Sequence, residues 1–129
     1  SYGLVTITVQ GNSGLRVRAD KILLFYLLDS LISACFEKKD SGELCFSFEM
    51  SEGFIKFALS DSRMHLTKEQ QAQLFYADNV KMDEHENVLR GSQYLVAKQI
   101  IREHDERLGH VGCRIYAEED RVVFTLPKK

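Results

Sequence analysis

Residues 19–36, which read ADKILLFYLLDSLISACF, form the most apolar stretch of this chain and constrain its fold more than any other segment. Polar side chains recur there only at three- and four-residue spacing, which is the period of an α-helix. They form a narrow seam, which would face either water or a polar partner. The members of the seam are Tyr26, Asp29, Ser30, Ser33 and Glu37. We therefore predict one buried helix, from Ala19 to about Lys38, that lies across a sheet.

The segments on both sides of this helix alternate apolar and polar residues, which is typical of half-buried β-strands. A polar connection, Ala77 to Arg90, is predicted to be mobile or to form a short irregular helix. The order of elements predicts an α+β fold, a two-layer α/β sandwich whose mixed sheet carries the helices on one face. The other predicted elements are strands at Leu4–Gln10, Leu15–Arg18, Gly112–Glu118 and Arg121–Leu126, a hairpin at Glu43–Ser60, and helices at Thr67–Tyr76 and Gln93–Arg107. Thr67 to Gln70 is predicted to form a capping box at the start of the first of these two helices.

Length and charge exclude several classes of protein. The chain has 129 residues, which fits one domain, 1–129. A net charge of -2 gives no reason to expect nucleic acid as a partner or direct contact with a membrane. No apolar run reaches the roughly 20 residues of a membrane span, so we predict a cytoplasmic domain. Because the chain does not begin with Met, we expect it to be the C-terminal piece of a longer protein.

The residues that commonly bind metals are spread along the chain. Its three cysteines include no Cys-x-x-Cys pair, and its four histidines include no His-Glu-x-x-His pattern. Reduced, buried thiols are the default for cysteines in apolar patterns. The cysteines and histidines are Cys35, Cys45, Cys113, His65, His85, His104 and His110. The sequence alone therefore predicts no metal site.

Short motifs follow one another in a specific order and spacing. They are VRAD at 17–20 before the apolar helix, SDSRMHL at 60–66, QLF at 73–75, GSQYLVAKQII at 91–101 and FTLP at 124–127. Together they resemble the ATP-binding domain of sensor histidine kinases, the family that also includes gyrase, mismatch-repair and heat-shock chaperone ATPases. The resemblance spans nearly the whole chain. It implies the two-layer sandwich fold and a nucleotide cleft that would hold ATP and magnesium.

The resemblance assigns two positions of the apolar helix to that cleft. Ser33 stands where the family has the asparagine that holds magnesium, and it lacks the amide carbonyl of that residue. Asp29 stands one helical turn earlier, where some branches of the family carry an acidic general base. The resemblance therefore makes Ser33 a candidate metal ligand and Asp29 a candidate catalytic residue.

The glycine-rich motifs are largely lost. Asp61, which in the family accepts a hydrogen bond from the adenine amine, is retained, but Arg63 and His65 replace the two glycines that follow it. Glycine at such positions allows backbone dihedrals that cost other residues about 1–3 kcal/mol. Of the loop that cradles the phosphates, Gly91 remains and Ser92 follows it. The resemblance makes these residues the members of a vestigial nucleotide cleft.

The leading interpretation is a degenerate histidine-kinase ATPase domain, impaired in ATP binding and phosphotransfer and without a cofactor. It would serve as a regulatory or interaction module in a two-component signalling protein. Its partners would be other domains of the same protein or a response regulator. No segment resembles the family's dimerisation helices, so homodimerisation would use helices upstream of this chain.

Two other interpretations stay open at this point. The first is a working ATP-binding catalytic domain of a sensor histidine kinase, with magnesium and atypical ligands. Those ligands would be Asp61, Asp29 or Ser33, and Gly91 with Ser92. The second is a binding domain for another small anion, in which cationic side chains replace the lost glycines. Those side chains would be Arg63, His65 and Lys98.

Overall fold

A computed structural model of the chain describes residues 2–9, 12–36, 43–76, 79–81, 88–90 and 92–128. Strands and helices alternate along these residues in nearly the predicted order. The elements are β1 (Tyr2–Val9), β2 (Asn12–Asp20), α1 (Lys21–Phe36), β3 (Leu44–Met50), β4 (Phe54–Asp61), α2 (Lys68–Gln73), β5 (Asn79–Lys81), β6 (Val88–Arg90), α3 (Ser92–Arg107), β7 (Ile115–Ala117) and β8 (Arg121–Pro127).

A four-stranded sheet in the order β3-β4-β8-β7 forms one layer of the sandwich. Alternation places its large apolar side chains on one face, where the rings of Phe46, Phe57 and Phe124 stack. The ring centroid of Phe57 lies 5.7 Å from that of Phe46 and 5.2 Å from that of Phe124. The same buried cluster contains Leu27 of α1 and Ile101 of α3, and these two helices pack against each other. The predicted α+β fold with helices on one face of a sheet is thus confirmed.

The direction of the strands differs from the prediction. Every ladder between described strands is antiparallel, whereas we predicted a mixed sheet. The reason is that β3-β4 and β7-β8 are hairpins, and β4 and β8 then pair antiparallel to each other. Hairpins join antiparallel neighbours, while parallel neighbours need long crossovers.

The hairpin β1-β2 forms a separate two-stranded sheet beside this layer. The inner face of this hairpin includes three buried side chains of β2, namely Leu15, Val17 and Ala19. An isolated bridge between Val17 and Lys128 connects β2 to the end of β8. Period-two alternation therefore leaves the even-numbered residues of β2 facing away from the core.

Helix α1 begins at Lys21, two residues later than predicted. Strand β2 continues to Asp20, whose Oδ1 accepts a hydrogen bond from the Leu23 amide at 2.9 Å. Asp20, which the predicted bounds place inside the helix, therefore lies just before it and is its N-cap. The predicted end near Lys38 lies outside the described residues.

The prediction that α1 is buried on nearly all sides is wrong. Four of its large apolar side chains are exposed, at a spacing that places them on one face of the helix. We call them the α1 stripe: Ile22 (67% exposed), Phe25 (68%), Tyr26 (55%) and Ile32 (38%). A helix on the outside of a two-layer sandwich has neighbours on one side only, and apolar content does not reveal which residues lack neighbours. Asp29 shares this exposed face, while Ser30 of the predicted seam is buried.

The polar connection after α2 also differs from the prediction. Thr67 and Gln70 form the predicted capping box at the start of α2, with bonds of 2.8 Å and 3.1 Å. Residues 79–81 and 88–90 then pair as the antiparallel strands β5 and β6 instead of forming a helix. Residues 77, 78 and 82–87 of this connection lie outside the described residues.

Strand β7 is shorter than predicted because its first residues bond to α3. The amides of Gly112 and Cys113 both donate to Asp105 Oδ1, at 2.7 Å and 2.8 Å. These donors are therefore not available to a neighbouring strand, and pairing begins at Ile115.

The helices in the described part of the chain are too short or too polar to span a membrane.

A buried histidine connects α3 to the junction of β2 and α1. His104 Nε2 accepts the Asp20 amide at 3.1 Å, and Nδ1 lies 2.9 Å from the Ile100 carbonyl oxygen. Since Nε2 must accept, the ring is neutral and carries its proton on Nδ1. The ring of Tyr2 packs edge-on against it at 4.9 Å. Burial lowers the pKa of His104, because the charged ring would lose its solvation.

We predict that the free energy of unfolding falls as the pH drops below about 6.5, the ordinary pKa of histidine. The unfolded chain binds a proton at His104 in the pH range where the folded chain does not, so protonation favours unfolding. A His104→Gln variant should show a flatter decline between neutral and acidic pH, measured by urea unfolding. His65→Gln, which changes an exposed histidine, is the matched control. An unchanged slope in His104→Gln would contradict this assignment.

Candidate functional site

Asp61 ends strand β4 and is almost fully buried, with 1% of its surface exposed. Its amide donates to the Asp120 carbonyl oxygen at 3.0 Å, and its own carbonyl accepts the Met64 amide at 3.0 Å. These bonds fix the backbone on both sides of the side chain. The carboxylate is therefore held rigidly in the interior at the start of the loop that leads to α2.

Arg63 occupies both oxygens of this carboxylate. Its Nε donates to Asp61 Oδ1 at 3.0 Å, and its Nη2 donates to Oδ2 at 3.2 Å. The Arg63 amide also donates to Oδ1, at 2.9 Å. The Asp61 side chain is fully buried and that of Arg63 is 13% exposed. Fork-to-fork pairing of this kind is among the stronger hydrogen-bonded arrangements in proteins.

His65 lies on the opposite side of the same loop. Met64 and Leu66 on either side of it are buried, and the Leu66 amide donates to the Glu119 carbonyl oxygen at 2.7 Å. His65 itself is exposed. The structure therefore brings Arg63 onto Asp61 and leaves His65 facing solvent.

The two candidate residues of α1 differ in exposure. Asp29 is exposed among the residues of the α1 stripe, and Ser33 is half-buried one turn further along. Their four-residue spacing places both on the same side of the helix. Their proposed roles as catalytic residue and metal ligand stay predictions.

The start of α3 is built into the core. Gly91 lies outside the described residues, and Ser92 is the first helical residue. Two positions further, the ring of Tyr94 is fully buried and meets the ring of Phe75 edge-on at 5.6 Å. Tyr94, three residues after the glycine that remains of the phosphate loop, thus supplies core packing.

Lys98 is bound to the end of α2. Its Nζ donates to the Phe75 carbonyl oxygen at 3.2 Å and lies 3.7 Å from the centroid of the Tyr76 ring. A cation there donates to a carbonyl just after the helix and gains a cation–π contact. Two of the cationic side chains proposed to bind a small anion, Arg63 and Lys98, therefore already bind groups of the chain itself.

The remaining metal-ligating types are dispersed. Within the described residues, no three His, Cys, Asp or Glu side chains lie close enough together to hold a metal ion. Cys113 is buried, and desolvation raises its pKa to about 11, so its thiol stays protonated. Cys45 is exposed on β3, which corrects the expectation of a buried thiol there. It faces away from the core because alternation along β3 turns its neighbours Leu44 and Phe46 towards the core cluster.

Sequence reasoning missed the pairing of Arg63 with Asp61. The signal was present, because an Asp directly after a strand often accepts a backbone amide two residues on, and Arg63 stands at that position. It also missed the partners of Lys98 and His104, each of which contacts an element distant in sequence. Their partners depend on how α3 packs, which the local pattern does not encode.

The fold is similar to solved structures of one class of protein, although no protein-family model and no curated protein sequence matches the chain. The nucleotide-free catalytic domain of histidine kinase ThkA is 20% identical with a TM-score of 0.65, covering 91% of this chain and 74% of that one. A mycobacterial sensor histidine kinase, MprB, is 13% identical with a TM-score of 0.64, covering 89% and 76%. ThkA in complex with the response regulator protein TrrA is 21% identical with a TM-score of 0.62, covering 92% and 32%. The chain thus has the fold of the ATP-binding catalytic domain of sensor histidine kinases, as the motif resemblance implied.

Proposed function

We propose that this chain is a degenerate histidine-kinase ATPase domain that acts as a regulatory or interaction module in a cytoplasmic two-component signalling protein. One observation carries the proposal, namely that Arg63 binds the carboxylate of Asp61. In the family, that carboxylate would accept the adenine amine. Here an internal cation takes the place of the nucleotide base, and no cofactor is expected.

Energies favour the internal pair over the nucleotide. Separating a buried ion pair typically costs about 3–5 kcal/mol. A hydrogen bond from a neutral amine to a carboxylate contributes only about 1.5–3 kcal/mol. Displacing Arg63 from Asp61 would therefore cost more free energy than the new hydrogen bond to adenine contributes at this contact.

Other positions of the cleft weaken nucleotide binding further. The hydroxyl of Ser33 is a poorer ligand for magnesium than the amide oxygen that the family places there. Gln93 and Tyr94 stand where bare backbone would approach the phosphates, and the Tyr94 side chain is used in the core. The candidate base Asp29 then has no bound substrate on which to act.

The α1 stripe supports the interaction role. Contiguous exposed apolar side chains on a soluble domain commonly indicate a binding surface. Other domains of the same protein are one class of partner. A response regulator is the other, and the ThkA structure in complex with TrrA supports that class because its kinase has this fold.

Titration calorimetry with magnesium-ATP tests the proposal. We expect no magnesium-dependent binding tighter than about 1 mM, which corresponds to about 4 kcal/mol. The comparison protein is the combined variant Ser33→Asn, Arg63→Gly, His65→Gly, Gln93→Gly, since single reversions share one ligand and should recover little.

Micromolar binding by the wild-type protein would overturn the proposal. It would assign adenine to Asp61 and the general base to Asp29 in a working ATPase domain with atypical ligands. Binding by the combined variant alone would show that these four positions account for the loss. Absence of binding by both proteins would agree with degeneration that extends beyond these positions.

A further inference from the structure

A groove of about 440 Å³ lies beside β1, and none of the nucleotide-cleft candidates among the described residues lines it. Side chains that share a face of a strand are two residues apart, but this groove is lined by four consecutive residues. Its lining residues are Gly3, Leu4, Val5, Thr6, Ala19 and Lys21. Ala19 is the cross-strand partner of Gly3 and Lys21 begins α1, so the groove lies where β1 meets β2 and α1. The consecutive residues of β1 bring backbone amides and carbonyls to its wall, and the side of β1 away from β2 is the edge of this sheet. We call residues 3–6 the β1 edge.

The β1 edge lacks the features that usually prevent strand pairing. Among the described residues, β1 forms a ladder with β2 alone. The strand reads YGLVTITV, with no charged residue and no proline, and its register irregularity, between Ile7 and Val9, lies beyond residues 3–6. Leu4 is 53% exposed, and a side chain at Gly3 would meet nothing within 4 Å. Natural edge strands generally carry a charge, a proline or a bulge that blocks addition of another strand.

Cationic side chains lie beside this edge. Arg16 and Arg18 are exposed on β2, directly opposite Thr6 and Leu4. Lys21 lines the groove at the first residue of α1. In the part of the chain that the structure describes, none of these three cations has an ionic partner. The nearby Asp20 carboxylate is engaged in capping α1.

We propose that the β1 edge binds an extended, acidic segment of a partner polypeptide as an added strand. Backbone groups of the segment would pair with β1, and its acidic side chains on the outer face would meet Arg16 and Arg18 across Leu4 and Thr6. A second copy of this chain is a poorer occupant, because it would bring the same cations to the interface. The proposal does not depend on the state of the nucleotide cleft or on the α1 stripe.

The test uses a short synthetic peptide of alternating Glu and Val, with a Lys–Val peptide as its control. Isotope-labelled protein is titrated with each peptide while backbone amide signals are followed. We expect the acidic peptide alone to shift and protect amides of the β1 edge, with weaker binding at high ionic strength. Reversing the charge at two positions in Arg16→Glu/Arg18→Glu should weaken binding about tenfold or more. Lys68→Glu/Arg114→Glu makes the same charge change at exposed positions outside β1 and β2 and should bind normally.

Several results would overturn the proposal. One is the absence of binding by the folded wild-type protein at millimolar peptide, and another is equal binding of both peptides. Shifts located away from β1 would contradict the assigned edge. Concentration-dependent shifts of β1 without peptide would show that the edge pairs with a second copy instead. If the Arg16→Glu/Arg18→Glu variant does not fold, the two peptides and the salt dependence on the wild-type protein still decide the question.

Discussion

Replacing Arg63 by Ala should lower the free energy of unfolding by about 3–5 kcal/mol, because it leaves the fully buried carboxylate of Asp61 without its cation. Truncation also removes two hydrogen bonds to that carboxylate. The Arg63 amide would remain as a donor, but a neutral donor does not replace a guanidinium. Urea unfolding followed by circular dichroism measures the change.

A surface ion pair of similar length provides the control. Arg107 Nε lies 3.1 Å from Glu103 Oε1, but the Arg107 side chain is 67% exposed. Arg107→Ala should therefore cost no more than about 1 kcal/mol, as is typical of exposed pairs. Equal and small effects of the two substitutions would show that Arg63 does not stabilise the interior, and the proposed replacement of adenine by Arg63 would lose its energetic basis.

Local patterns in the sequence were sufficient to predict most of the elements. Alternation identified the strands that carry Phe46, Phe57 and Phe124, and Thr67 with Gln70 identified the start of α2. Each of these signals depends on residues close together in the chain. The position of Asp61 at the end of a strand followed in the same way, from the motif that contains it.

What the sequence did not reveal depends on contacts between distant elements. The exposed face of α1 contains Ile22 and Phe25, residues that composition alone assigns to a core. Which face of a helix is covered depends on where its neighbours lie, and that is a property of the assembled layers. His104 contacts Asp20 across 84 positions, and no local period indicates such a pairing. The pairing of Arg63 with Asp61 is local in sequence, but its prediction required knowledge that the Arg63 side chain turns back towards the strand.

Substitutions at neighbouring positions of α1 should differ strongly in their effects. Leu27 is fully buried in the core cluster, so Leu27→Ala should lower the free energy of unfolding by about 2–5 kcal/mol through lost burial and a residual cavity. Phe25 is 68% exposed on the α1 stripe, so Phe25→Ala should change stability by no more than about 0.5 kcal/mol. Thermal and urea unfolding of the two variants measure the difference.

The same pair separates stability from binding. If the α1 stripe is an interaction surface, Phe25→Ala should weaken capture of a partner domain or response regulator while the fold keeps its stability, because exposed aromatic side chains often carry much of the binding energy. Leu27→Ala should reduce binding only to the extent that it unfolds the protein. A large loss of stability in Phe25→Ala would mean that this ring is covered within the chain itself, and the α1 stripe would then no longer support the interaction role.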